Sequence, residues 1–327
     1  MNTLLKIILC IISITPITFN VANCNVLNTG YNKSKLHESD IEYKKLVVDG
    51  LDIFYREAGK ANKRTIVLLH GFPSSSHMYR DLINDLSDSY HVIAPDYPGF
   101  GQSSSPIISQ YEYTFENISI TIEYFLDELK LDKVSLYLQD YGGPIGMRIA
   151  TRRPEIIESI IIQNANAYVQ GLGGVLEPLT NYIKNPNAET EKAARFFLTL
   201  EATKWQYLNG AENPNKISPD SYITDQYYLN RPNNDQIQLA LFRDYGSNIN
   251  LYEKWQLYFK DYQPHTLVIW GKNDEFFITP GAFAYRKDNP KAIIQLVNGG
   301  HFALEEHHKE ISKLIKKFIN KTVKKSI

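Results

Sequence analysis

Cysteine is almost missing from this chain: there are two in 327 residues, Cys10 and Cys24. Both sit at the N-terminus, so a processed chain keeps one or none. Disulfides then cannot hold it together, and neither a thiol nucleophile nor a Cys-based metal site is available. Charge of one sign is missing too. The 35 Lys+Arg balance 36 Asp+Glu to a net of −1, which lacks the basic excess expected of a nucleic-acid binder. An ordinary composition, 43% hydrophobic and 22% charged, argues against a disordered, collagen-like or coiled-coil chain. There is no Walker-type Gly-Lys-Ser/Thr, no internal repeat and no low-complexity tract. What is present in excess is tyrosine, at 22 residues.

The N-terminus reads as an address label. Lys6 and the terminal amine give a positive start, Ile7 to Phe19 is almost wholly apolar and uncharged, and Val21-Ala22-Asn23-Cys24-Asn25 offers small side chains for cleavage. The apolar run falls short of the roughly 20 helical residues that cross a bilayer, so a removed signal peptide over 1–24 is expected, and with it secretion or a periplasmic location. The alternatives are anchoring by an uncleaved signal or by lipid at Cys24, for which Asn23 is a poor fit. No other membrane segment is visible. Asn32-Lys-Ser, Asn117-Ile-Ser and Asn320-Lys-Thr match a glycosylation triplet that is common by chance.

From about residue 40 to 327 the pattern alternates β-rich runs with helical ones. Strands are predicted at Lys45–Val48, Leu51–Arg56, Thr65–Leu69, His91–Ala94, Lys133–Leu138, Ser159–Gln163, Thr266–Trp270 and Ala292–Val297. Unbroken apolar runs such as Ile66-Val67-Leu68-Leu69 and Leu267-Val268-Ile269-Trp270 are what parallel strands covered on both faces look like. Helical periodicity fills the gaps, for instance over Ile118–Leu129 and Leu304–Phe318. The expected class is therefore α/β, a mostly parallel sheet of about eight strands flanked by helices. Between about 165 and 263 the alternation stops. That stretch is polar, rich in Tyr, Asn and Pro, and helical where it has a period, so it reads as an insertion rather than a second domain. The lysines from Lys313 to Lys325 fit a solvated last helical turn.

Chemistry gathers at strand ends, where an open α/β sheet places its ligands. The spots are Leu69-His70-Gly71-Phe72-Pro73, Asp96-Tyr97-Pro98-Gly99-Phe100-Gly101, Leu138-Gln139-Asp140-Tyr141-Gly142-Gly143, Gly271-Lys272-Asn273-Asp274 and Gly299-Gly300-His301-Phe302. Singly, each has a plainer reading: a helix cap, a tight packing glycine, a turn, a loop histidine. No His spacing suggests a metal site, His307-His308 reads as exposed helix, and neither a metal nor an organic cofactor is implied.

Together and in this order, over roughly residues 43–320, the motifs resemble the α/β-hydrolase superfamily, whose nucleophile sits on a tight strand-to-helix elbow and is followed by an acid and then a histidine. The elbow here holds Asp140, and the acid and base positions match Asp274 and His301. A carboxylate is already ionised at neutral pH and can attack an electrophilic sp3 carbon directly. The resulting ester would be hydrolysed by water activated by His301, which Asp274 orients. The resemblance implies backbone oxyanion donors at Phe72 and Tyr141.

Gln139-Asp140-Tyr141-Gly142-Gly143-Pro144-Ile145-Gly146 is similar to the Asp-nucleophile branch, the epoxide hydrolases and haloalkane dehalogenases, with Tyr141 in place of a usual Trp. Dehalogenases of the family hold halide with that Trp plus an early-loop Asn or a second Trp in the cap. This chain has Phe72 and Tyr141 there, with Trp205 and Trp255 as partial candidates. Fluoroacetate-type enzymes carry Arg just after the nucleophile; here the first is Arg148. Epoxide hydrolases polarise the ring oxygen with two tyrosines of a helical cap. Ten of the 22 Tyr fall in the insertion, and Tyr182 and Tyr252 look most like those two. The resemblance thus implies an epoxide hydrolase with a cap, acting with water on a small, largely apolar neutral substrate. Haloalkane dehalogenation is the near alternative, ester hydrolysis a weaker one, and a non-catalytic ligand-binding protein the alternative of another class.

Overall fold

The computed structural model describes residues 41–322. The expected signal segment, both cysteines, Asn32, Lys324 and Lys325 lie outside the described residues. Eight strands form one sheet: β1 (Glu42–Val48), β2 (Leu51–Ala58), β3 (Thr65–Leu69), β4 (His91–Pro95), β5 (Val134–Gln139), β6 (Ile157–Gln163), β7 (Thr266–Gly271) and β8 (Ile293–Val297). Their spatial order is β1-β2-β4-β3-β5-β6-β7-β8. The β1–β2 and β2–β4 pairings are antiparallel and the rest parallel, so β2 runs against the other seven. Each predicted strand is present, β3 with both ends as expected and the others with an end displaced by at most three residues.

Among the described residues eleven α-helices accompany the sheet: α1 (Arg80–Leu86), α2 (Phe115–Glu128), α3 (Gly142–Arg152), α4 (Glu177–Lys184), α5 (Ala188–Arg195), α6 (Leu200–Leu208), α7 (Pro219–Leu229), α8 (Asn234–Asn250), α9 (Tyr252–Tyr262), α10 (Thr279–Asp288) and α11 (Leu304–Thr322). The last is two helices joined across a kink at His307. Successive strand side chains point to opposite faces. On β3, Ile66 and Leu68 therefore join the core under α1 and α11, while Val67 and Leu69 join the core under α2 and α3. Strands β3 to β7 are apolar without alternation because both faces are covered. The edge strand β1 keeps exposed positions.

Between β6 and β7 lie six helices, α4 to α9. One belongs with the sheet: α9 packs on α3 and α10, and its Trp255 and Phe259 are fully buried. The expected insertion, to about 263, thus includes a helix that packs on the helices flanking the sheet. The last helix is the crossover that covers the sheet before β7, and its polar outer face makes it read like the segment before it. His307 and His308 also differ from the expected exposed pair: both are half-buried, and His308 Nδ1 lies 2.7 Å from Asp85 Oδ2. No helix among the described residues is long and apolar enough to cross a membrane.

The strand order reverses around β3. The chain moves from β3 outward to β4, then crosses back to β5 on the other side. Leu69 pairs with Leu138, so the loops leaving β3 and β5 emerge side by side at the switch point.

Candidate active site

Asp140 follows β5 directly and precedes α3. Its φ of +47° is one few non-glycine residues adopt. Two glycines make room for this turn. A Cβ on Gly142 would fall 2.0 Å from the carbonyl oxygen of Leu69, and one on Gly71 would fall 2.2 Å from Cβ of Asp140. The helix can thus begin against β3, and the early loop can pass over the carboxylate. Asp140 Oδ1 accepts the Phe72 N–H at 2.7 Å, and the Tyr141 N–H also bonds the carboxylate. Both expected backbone donors therefore converge on Asp140. The Phe72–Pro73 peptide is cis.

The other two expected residues meet Asp140 from neighbouring strand ends. His301 Nε2 lies 3.8 Å from Asp140 Oδ2, and His301 Nδ1 lies 2.8 Å from Asp274 Oδ2. Asp274 is fixed from every side. Its Oδ1 accepts the Phe276 and Phe277 N–H groups at 2.8 and 3.2 Å, and its Oδ2 also accepts Asn164 Nδ2 at 2.8 Å.

Asn164 is a site residue that sequence reasoning missed. It follows β6 at φ +43°. Its carbonyl accepts the Asp140 N–H at 3.2 Å, and its Oδ1 accepts the Gly271 N–H at 2.9 Å. One residue thus ties the Asp140 elbow, through its backbone carbonyl, to the Asp274 loop, through its side chain. The available signal was an Asn directly after a strand, a residue tolerant of left-handed backbone.

Gln139 Nε2 also approaches His301 Nε2, at 3.3 Å. Two other singled-out residues have structural roles. His70 stacks on Tyr97 at 3.9 Å, accepts the Tyr97 N–H, and burial pushes it down to about 3, so it is neutral. Asp96 accepts the Ser76 and Gln102 N–H groups and holds the loops around it.

Burial raises the Asp140 carboxyl above its ordinary range, against the opposing pull of His301 and the Phe72 and Tyr141 N–H groups. Burial disfavours the His301 cation, but the charge and hydrogen bond of Asp274, with the charge of Asp140, outweigh it and leave the imidazole raised.

Asp140 opens into a cavity of about 140 Å³. Its walls are mostly apolar, among them Leu179, Ile183, Phe197, Phe242 and Phe276, from α4, α8 and the loops. The tyrosines lining it are Tyr141 and Tyr245, with ring centroids 6.2 Å apart. This corrects the expectation for Tyr182 and Tyr252, neither of which lines the cavity. Tyr182 is buried in the apolar core cluster while its neighbours Ile183 and Thr180 face inward. Tyr252 packs on Trp255 at 5.4 Å, behind Tyr245. The helical phase, invisible in a short motif match, decides which tyrosine faces in.

Trp255 is fully buried away from the cavity lining, and Trp205 is part-exposed against Phe276 at 5.3 Å. Arg148 is engaged by Asn248, Ser247 and Glu116. Among the described residues no group of three His, Cys, Asp or Glu is placed to hold a metal ion.

Residues 64–308 match the profile of the alpha/beta hydrolase fold family, and the chain belongs to that family. It is 40% identical over 269 residues to "uncharacterized hydrolase YNR064C" of Saccharomyces cerevisiae, covering 81% of this chain and 92% of that one. A shorter similarity, 39% over 106 residues (32% of this chain, 35% of the other), links it to a haloalkane dehalogenase of Psychrobacter cryohalolentis. Among solved structures, the epoxide hydrolase CorEH superposes with a TM-score of 0.70 at 19% identity, covering 86% of this chain and 99% of that one; at that identity the likeness is one of fold. The protein is an α/β-fold hydrolase.

Proposed function

We infer that the protein hydrolyses epoxides through an ester on Asp140. The observation that carries this reading is a carboxylate with one oxygen held and the other free, facing an apolar cavity whose wall contains two phenols. Asp140 Oδ1 is tied to the Phe72 N–H, which leaves Oδ2 to attack the epoxide carbon. As the C–O bond of the ring breaks, its oxygen takes a proton from a tyrosine. Burial raises the Tyr141 and Tyr245 hydroxyls above their ordinary value, so both are protonated and able to donate at neutral pH. The helices α4 to α8 act as a cap that keeps bulk water from the phenols.

Esterification removes the Asp140 charge, one of the influences that raises His301, so the imidazole moves toward its neutral form when a base is needed. His301 Nε2 then takes a proton from water, and the hydroxide adds to the ester carbonyl. The oxyanion that forms lies on the Phe72 and Tyr141 N–H groups. Collapse breaks the bond to the ester oxygen, which takes the proton of the added hydroxyl and leaves as part of the diol with Asp140 again a carboxylate, and the His301 proton returns to the tyrosine. Epoxide and water are consumed, one diol is made, and the protein is unchanged.

Haloalkane dehalogenation is the second reading, favoured by the 39% identity over 106 residues to a dehalogenase. It shares the ester and needs halide donors instead of a proton. Single turnover in ¹⁸O-labelled water, followed by mass spectrometry of the peptide containing Asp140, tests the shared step. Label in that carboxylate is expected, and turnover without label sinks Asp140 as nucleophile. A panel of epoxides and haloalkanes, scored for diol and for halide, separates the two; halide without diol overturns the epoxide reading.

A further inference from the structure

Among the buried side-chain atoms of the described residues that have no hydrogen-bond partner, Gln206 Nε2 is the one that belongs to a residue lining the cavity. Gln206 is 3% exposed and lies on α6 in a wall otherwise made by Phe197, Phe276 and Leu179. A buried amide N–H without a partner destabilises the fold, and leucine of similar size would not. The helix that carries the amide is held firmly. Its neighbour Tyr207 stacks on Phe302 at 3.8 Å, next to His301, and its hydroxyl bonds Asp225 and Ser74. Trp205 packs on Phe276, and the turn after α6 accepts Asn273 Nδ2 at the Gly210 carbonyl, next to Asp274. The helix is therefore clamped to the loops that carry Asp274 and His301, so residue 206 has a fixed place in the wall facing Asp140.

We propose that Gln206 is a specificity-determining residue that donates its amide N–H to a hydrogen-bond acceptor on the substrate, an ether or carbonyl oxygen set apart from the reactive carbon. The substrate class is thus an oxygen-bearing epoxide rather than a purely hydrocarbon one. This rests on the epoxide reading. A site built to hydrogen-bond a substrate group discriminates against an analogue lacking it, because its own polar group is then left unpaired.

The test compares 1,2-epoxyheptane with propyl glycidyl ether, in which one chain methylene is replaced by oxygen. The parent is expected to prefer the ether about tenfold in kcat/KM, one hydrogen bond's worth. Gln206→Leu is expected to erase that preference, bringing the ether-to-alkyl ratio of kcat/KM to about one. Gln206→Glu, which presents acceptors when ionised, is expected to turn the preference against the ether. A parent that does not distinguish the two, or a Leu variant that slows both equally, overturns the proposal. Binding of unreactive 2-heptanone, followed by ligand-observed NMR, reads the same contact without turnover. A weakening of about tenfold in Gln206→Leu supports the donor role, and unchanged binding overturns it even if no epoxide is hydrolysed. Failure of the epoxide panel with the ketone effect intact condemns the reaction assignment and not the contact.

Discussion

The strand-end loops and the helices between β6 and β7 enclose the same cavity, yet their polar groups are placed under different constraints. On the strand side, Asp140 is held by the Phe72 N–H and Asp274 by three donors, and His301 is bonded to Asp274. On the helix side the wall is mostly apolar, and its buried Gln206 Nε2 has no partner. The first arrangement costs no reorganisation when charge moves, which is what catalysis needs. The second leaves its polar group for whatever enters, which is what selection needs. Substitutions on the strand side should therefore lower turnover of every substrate, and those on the helix side should change the order among substrates.

The largest effect tests the strand side. Asp140→Asn is expected to lose at least about 10⁴-fold in kcat with its melting temperature close to that of the parent. His301→Gln should still form the ester and fail to release it, so intact-protein mass spectrometry should show a stable adduct of substrate mass. An unmodified His301→Gln protein that also does not turn over would break the two-step scheme.

The seam between the two sides carries the next effect. Asp225 on α7 is fully buried, accepting the Ser74 hydroxyl at 3.1 Å and that of Tyr207, with Arg80 paired to Glu305 beside it. Burial pushes its carboxyl up to about 7, with the Tyr207 and Ser74 hydroxyls pulling the other way. A raised acid binds its proton more tightly when folded. Its stabilising contribution is full below the unfolded value near 4 and is lost as pH rises toward 7, about 4 kcal/mol in all. Asp225→Asn should remove that slope. Urea melts of both proteins at pH 5, 6, 7 and 8 should converge at the acid end and favour the variant at pH 8; parallel curves would sink the idea.

The strand side was legible in the sequence and the helix side was not, for one physical reason. A carboxylate at positive φ against two close backbones leaves few choices of residue. Asp140, Gly71 and Gly142 are therefore readable as letters, and the order Asp140, Asp274, His301 follows from the order of the strands. Asn164 escaped because its role depends on three hydrogen bonds that no spacing reports. Asn164→Ala should lower kcat about 10²-fold, the scale of a misplaced catalytic geometry, with KM little changed. An effect on folding alone, restored to parent turnover by stabilising conditions, would return Asn164 to the scaffold. In the insertion, Tyr, Asn and Gln are exchangeable on an exposed helix. Only the rotation of α4 and α8 about their axes distinguishes a cavity residue from a packing one, and the local pattern there is too weak to fix that rotation.

The tyrosines are where that ambiguity has a measurable consequence. Tyr245 lines the cavity and its hydroxyl lies close enough to Asp140 to be influenced by its charge, whereas Tyr182 and Tyr252 are buried outside the lining. Tyr245→Phe should slow epoxide opening about tenfold, less than the full value of a general acid because Tyr141 remains as a donor. The loss should fall on ester formation, seen as a slower burst in single turnover, while hydrolysis of a preformed ester is unchanged. Tyr182→Phe should leave the burst at parent rate. Tyr252→Phe should have an intermediate effect, since its hydroxyl adjoins that of Tyr245 and acts on substrate only through it. A Tyr182→Phe burst slower than that of Tyr245→Phe would mean that α4 turns during turnover, and the static division between the two sides would have to be redrawn.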